Sequence, residues 1–191
     1  MVAPQASEAA MASDSASNLS WLSRLMVAFS TIGVVILPVM VAVTFLFPDK
    51  TGWLMFDVNH LGAAISTGVP LPYRIGALAC EMVPTAFTLW ALWSLRQLFL
   101  KYAKGDVFSA AALQYLNNVA VALFASVVVG FAMQAPISFL LTWPLGPGHR
   151  NISLSFGSGD VATLFMAGVV LVIARVMVEA RRVADENAKF V

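Results

Sequence analysis

The sequence predicts an all-α integral membrane protein: a four-helix bundle with cytoplasmic helix extensions and two outer loops. Three observations lead there. Hydrophobic residues make up 60% of the chain and charged residues 11%, with a mean hydropathy of +0.83, far above the apolar share of a soluble domain. The apolar residues gather into four stretches, each long enough to cross a hydrocarbon core of ~30 Å. The few charges lie between those stretches and are unevenly shared between the two sides. Net charge is only +1, so no overall field points to direct binding of nucleic acid or of an acidic substrate. Cys80 is the single cysteine, which excludes an intramolecular disulfide and a cysteine-rich metal site.

Residues 1–20 are rich in Ala and Ser with scattered Glu8 and Asp14. They offer little large apolar surface to order them and read as a disordered tail, with 21–191 forming one membrane domain. A cleaved signal peptide fits badly, because no basic residue precedes Arg24 and no small-residue cleavage site follows the apolar run. Ser20 is a suitable N-cap for the first span, residues 25–47. Pro38 inside it leaves the carbonyl of Val34 without its helical donor, which predicts a kink. The loop that follows carries Trp53, Leu54, Met55 and Phe56, residue types suited to the bilayer surface. Asp57 and His60 in the same loop have metal-ligand spacing, but two ligands do not make a site, so no metal is expected.

The second span is residues 75–95, and its helix is expected to run on to Lys104. In that extension Leu95, Leu98, Phe99 and Tyr102 share one face, with Arg96, Lys101 and Lys104 supplying a cationic side. Gly105 suits the C′ position of this helix and Ser109 the N-cap of the next. So short a turn makes the second and third helices antiparallel neighbours. The third span is residues 119–141, preceded by polar first turns containing Gln114, Asn117 and Asn118, and interrupted by Pro136. Residues 151–156 alternate polar and apolar, a short strand signal. Asp160 is expected to cap the fourth span, residues 161–178. Beyond it the helix continues through a charged tail, supported by four-residue pairs such as Arg175/Glu179, Arg181/Asp185 and Arg182/Glu186.

Four spans put both termini on one side together with the 96–109 turn. Eight of the eleven basic residues fall there, and only Lys50, Arg74 and Arg150 on the other. The positive-inside rule makes the first side cytoplasmic. The two halves echo one another, each with a proline-interrupted span followed by a span with a charged extension, as two parallel repeats would.

Glu81 is the one acid within a span and is therefore the candidate intramembrane polar site. No motif for metal hydrolysis, nucleotide binding or nucleophilic catalysis occurs, so no catalytic residue, cofactor or enzymatic activity is expected. Helix that outruns the bilayer is unnecessary for insertion. The candidate partner-docking surface is accordingly Arg96, Phe99, Lys101, Tyr102, Lys104, Gly105 and Phe108 with Arg181 and Arg182; the lipid bilayer itself is the other partner such basic residues meet.

The segments Leu95-Arg96-Gln97-Leu98-Phe99 and Tyr102-Ala103-Lys104-Gly105-Asp106-Val107-Phe108-Ser109 resemble the central turn of the domain-of-unknown-function 2975 family of bacterial four-span membrane proteins. The approach Ser153-Leu154-Ser155-Phe156-Gly157-Ser158-Gly159-Asp160 and the tail from Glu179 to Asn187 are similar too. The resemblance implies an inner-membrane protein of unassigned biochemistry, linked to small cytoplasmic regulators of helix-turn-helix type. It brings no catalytic residues with it. Two readings follow: a non-enzymatic regulator or sensor docking a cytoplasmic partner, or a small transporter or channel subunit acting as a homo-oligomer.

Overall fold

The structure, a computed structural model, describes residues 3–47, 68–106, 109–146, 150 and 152–187. Four long helices carry it: α1 (Ala3–Leu46), α2 (Leu71–Tyr102), α3 (Ala110–Thr142) and α4 (Ser158–Asn187). A single 3-10 turn, Trp143–Leu145, follows α3. All four helices are long and apolar enough to cross a membrane, and they pack as a bundle. Trp53, Asp57, His60 and Phe108 lie outside the described residues.

α1 starts earlier than expected. The chain is helical from Ala3, and Ser20 lies inside the helix rather than at its cap. The physical reason is composition: from Gln5 to Ile32 there is neither glycine nor proline, and Pro4 sits in the first turn, where its missing N–H costs nothing. The helix also passes through Pro38 without a break.

α2 and α3 form the central antiparallel pair, with α1 packed on α2 and α4 packed on α3. The inward faces of the central pair keep a seven-residue register. On α2 the buried positions include Ala77, Pro84, Ala91 and Leu98; on α3 they include Leu113, Ala120, Val127, Gln134 and Leu141. A strict heptad holds one seam against its partner along the whole helix. Small residues bring the backbones close, as at Gly130, where an added Cβ would lie 3.7 Å from Pro84, and at Gly33 of α1, 3.3 Å from Leu92.

The turn between α2 and α3 is built as expected. Gly105 has φ +77°; its N–H donates to the Tyr102 carbonyl at 3.0 Å and the Asp106 N–H to the Lys101 carbonyl at 3.1 Å. This pair of bonds is the Schellman closure of a helix C-terminus. Ser109 then opens α3, its Oγ accepting from the Ala112 N–H at 3.2 Å.

A buried apolar cluster lies at the opposite end of the bundle, formed by Val41, Phe45, Val69, Ala77, Ile137 and Leu141. Beside it runs the 152–157 segment. No strand is formed in it, and none occurs among the described residues, so the expected strand is absent there. Its backbone donors go instead to α3 side chains: the Ser153 N–H to Ser138 Oγ at 3.2 Å and the Ser155 N–H to Gln134 Oε1 at 2.7 Å. Phe156 meets Phe131 edge to face, with centroids 6.1 Å apart. Chain in this conformation has unsatisfied N–H groups, and in lipid depth only a protein wall can satisfy them.

Candidate functional site

The dip of 152–157 along α3 determines where α4 begins. Ser155 is bonded at Gln134, eight residues short of the end of α3 at Thr142. At 1.5 Å per residue Ser155 therefore lies ~12 Å below the end of α3, and α4 starts just beyond it, at Ser158. Asp160 is not the cap expected from the sequence. It stands in the first turn of α4, and its Oδ2 accepts the Gly157 N–H at 2.9 Å. That is the returning half of a capping box, with Gly157 at the cap position. The carboxylate is held at the positive end of the helix dipole.

The first turns of α4 border a cavity of about 590 Å³ that is lined from all four helices. Glu81, Thr85 and Thr88 reach it from α2, spaced at three and four residues and so on one helical face. Ser126, Gly130 and Gln134 border it from α3, Asp160 and Thr163 from α4, and Met40 and Thr44 from α1. Glu81 is 7% exposed and Gln134 6%. Glu81 has a partner of its own, while the Nε of Arg74, two turns away on the same helix, is buried without a hydrogen bond among the described residues. A carboxylate this deep costs about 2.5–3.5 kcal/mol to insert, which the polar surroundings of the cavity must offset.

The hydroxyls around the cavity share one habit. Thr44, Thr85, Thr88, Ser126 and Thr163 each donate to a carbonyl three or four residues back in their own helix, at 2.7–3.4 Å. Their protons are used, and what they can offer a visitor is oxygen lone pairs. Gln134 is fixed the other way round. Its Oε1 takes the Ser155 N–H, which determines the amide orientation. Among those residues no cluster of metal ligands occurs.

The residues foreseen as a docking surface are placed in two groups. At the end of α2, Arg96 Nε donates to Thr31 Oγ1 of α1 at 3.1 Å, and its guanidinium lies 5.2 Å from the Trp93 ring. Phe99 and Tyr102 meet edge to face at 6.2 Å. Lys101 pairs with Asp106 at 3.7 Å, while Lys104 and Gly105 are exposed. Arg181 and Arg182 lie on α4, which α3 separates from α2; with Arg175 and Glu186 they border a second hollow, of about 720 Å³, against Gln114 and Asn117 of α3. Arg182 is paired with both Glu179 and Glu186, so Glu179 turns to Arg182 rather than to the expected Arg175.

The sequence singles out Glu81, which borders the cavity; it does not single out Gln134 or Thr85, and it does not place Asp160 there. The available signal was Gln134's place in the heptad that otherwise carries Leu113, Ala120, Val127 and Leu141.

A family described as "Protein of unknown function (DUF2975)" matches residues 57–191. The chain belongs to the DUF2975 family. The match takes in α2, α3, α4 and every acidic and amide group on the cavity, and leaves α1 outside it. No curated protein and no solved structure matches the chain. Membership of DUF2975 agrees with the four apolar helices and assigns no activity.

Proposed function

We propose that this protein is a non-enzymatic sensor of the inner membrane, with both termini cytoplasmic, that holds a small ligand in the Glu81 cavity and docks a cytoplasmic regulatory protein at its helix ends. The observation that carries the reading is that α1 and α4 both border the cavity without packing on each other. A ligand touching both stabilises one spacing of these two helices over others, and only such a differential contact can shift a conformational equilibrium. α4 continues unbroken from Asp160 to Arg181 and Arg182, so a tilt at the cavity reaches the hollow beside Gln114 and Asn117.

The test is charge reversal at the far end. Arg181→Glu with Arg182→Glu abolishes co-purification of one identified cytoplasmic protein from mild detergent, while reporter fusions show normal topology. Inversion of the protein, or failure to accumulate, makes these arginines topology anchors and removes the docking reading.

A second reading, a transporter or channel subunit working as a homo-oligomer, draws on the buried Glu81 carboxylate and on prolines inside three helices, Pro38, Pro84 and Pro136. Flux across proteoliposomes that is lost in Glu81→Gln favours it over sensing.

A further inference from the structure

We infer that the hollow between α3 and α4 binds the phosphate of an anionic phospholipid, drawn from the leaflet on the side of the α2–α3 turn, with Arg175 as its anchor. The inference goes beyond the sensor reading and needs neither a ligand in the Glu81 cavity nor a docked protein.

The lining of the hollow is cationic. Arg175, Arg181 and Arg182 of α4 border it against a single carboxylate, Glu186, and Gln114 and Asn117 of α3 supply amides to the other wall. Arg182 is engaged by two carboxylates, Glu179 and Glu186. Glu179 is the acid spaced to meet Arg175, so its turn to Arg182 leaves the charge of Arg175 to be balanced from elsewhere. Arg175 falls inside the apolar segment of α4, Ser158–Val183, where a cation without an anion is costly. A guanidinium binds phosphate through paired, charge-assisted N–H···O bonds, and a side-chain amide adds a neutral donor beside it. Basic pockets between membrane helices hold phosphate headgroups on these terms.

Depth and walls favour a lipid over a soluble phosphate. Asn117 stands just before the third span, 119–141, and Arg175 just before the end of the fourth, 161–178. The hollow therefore lies at the boundary of hydrocarbon and headgroups. Its floor is apolar and closed: Ala174 is 2% exposed and Leu113 7%. One turn deeper on the same face of α4 as Arg175, Leu171 and Val172 are exposed, a surface along which acyl chains lie while the phosphate meets the guanidinium. A volume of about 720 Å³ falls within the range of small-molecule sites, ~300–1,000 Å³, and suits a glycerol phosphate headgroup better than a bare anion.

The experiment titrates the full chain in mild detergent with dihexanoyl phosphatidylglycerol, with dihexanoyl phosphatidylcholine, glycerol 3-phosphate and inorganic phosphate as comparisons. Binding is read by native mass spectrometry and by thermal shift. Phosphatidylglycerol binds at one copy per chain, at least tenfold tighter than phosphatidylcholine and than either soluble phosphate. Arg175→Gln weakens it at least tenfold. So does Asn117→Leu, which keeps every charge and guards against a charge variant that fails to fold. Arg24→Gln, which removes an exposed cation on α1, leaves binding unchanged. Equal binding of phosphatidylcholine, equal loss in Arg24→Gln and Arg175→Gln, or binding that survives Asn117→Leu overturns the inference and leaves only the general attraction of basic residues to an anionic surface. Glycerol 3-phosphate or inorganic phosphate binding as tightly as the lipid assigns the hollow to a soluble phosphate and overturns the lipid source. None of these variants touches Arg181 or Arg182, on which the docking reading is tested, so the two fail separately.

Discussion

Replacing Gly105 by alanine isolates the cost of one backbone conformation. Gly105 has φ +77°, and a Cβ built on it meets nothing within 4 Å, so no steric contact contributes. An L-residue in the left-handed region costs about 1–2 kcal/mol, partly offset by the ~0.4–1 kcal/mol that alanine gains by restricting the unfolded chain. The net expectation is a destabilisation of about 1 kcal/mol, roughly a fivefold fall in the folded-to-unfolded ratio. Asparagine tolerates this region better than alanine, so Gly105→Asn should lose about half as much. Gly68 supplies the control: its surroundings are equally open and it has no positive φ, so Gly68→Ala should not destabilise. Reversible unfolding in mixed micelles at increasing dodecyl sulfate, followed by circular dichroism, measures all three. If Gly105→Ala is as stable as Gly68→Ala, or Asn no better than Ala, then the Schellman closure does not hold the α2–α3 turn.

Ser109→Ala removes the acceptor of the Ala112 N–H and should cost about 1 kcal/mol, measurable by the same unfolding assay. Gln134→Leu leaves the Ser155 N–H without its 2.7 Å acceptor at membrane depth. It should cost about 1–3 kcal/mol and speed amide exchange through 153–157, whereas unchanged exchange there would mean that the segment is held by something other than α3. Reporter fusions at Gly105 should report the cytoplasm and those at Trp53 and Gly148 the outer side, in keeping with the distribution of basic residues; a Gly105 fusion active outside would reverse the whole arrangement.

The local features of this protein were legible because they depend on neighbours in sequence. Four apolar stretches force four spanning helices, since lipid offers backbone groups no partner outside the helix. Gly105 and Ser109 act within a turn's reach, and their roles follow from residue type alone. Misreadings arose at the ends of elements. The Ala-rich N-terminus has helix propensity that its low apolar content concealed, and the polar–apolar alternation did not produce a strand among the described residues. Asp160 was read as a cap because the start of α4 is set by hydrogen bonds from Ser153 and Ser155 to Ser138 and Gln134, fifteen and twenty-one residues away.

The cavity is wholly a product of tertiary structure. By itself the sequence determined that Glu81 would be an acid within a span, and therefore a suspect. Nothing in the linear order brings it together with Gln134, Asp160 and Thr163, because that meeting depends on Ser155 docking at Gln134 just before α4 begins and on α1 and α4 packing each on one neighbour only. Helix existence is decided by burial of the backbone in lipid, residue by residue. Helix depth and spacing are decided by side chains facing one another across the bundle, and there a single amide, Gln134 bonded to the Ser155 N–H, determines where the polar site lies.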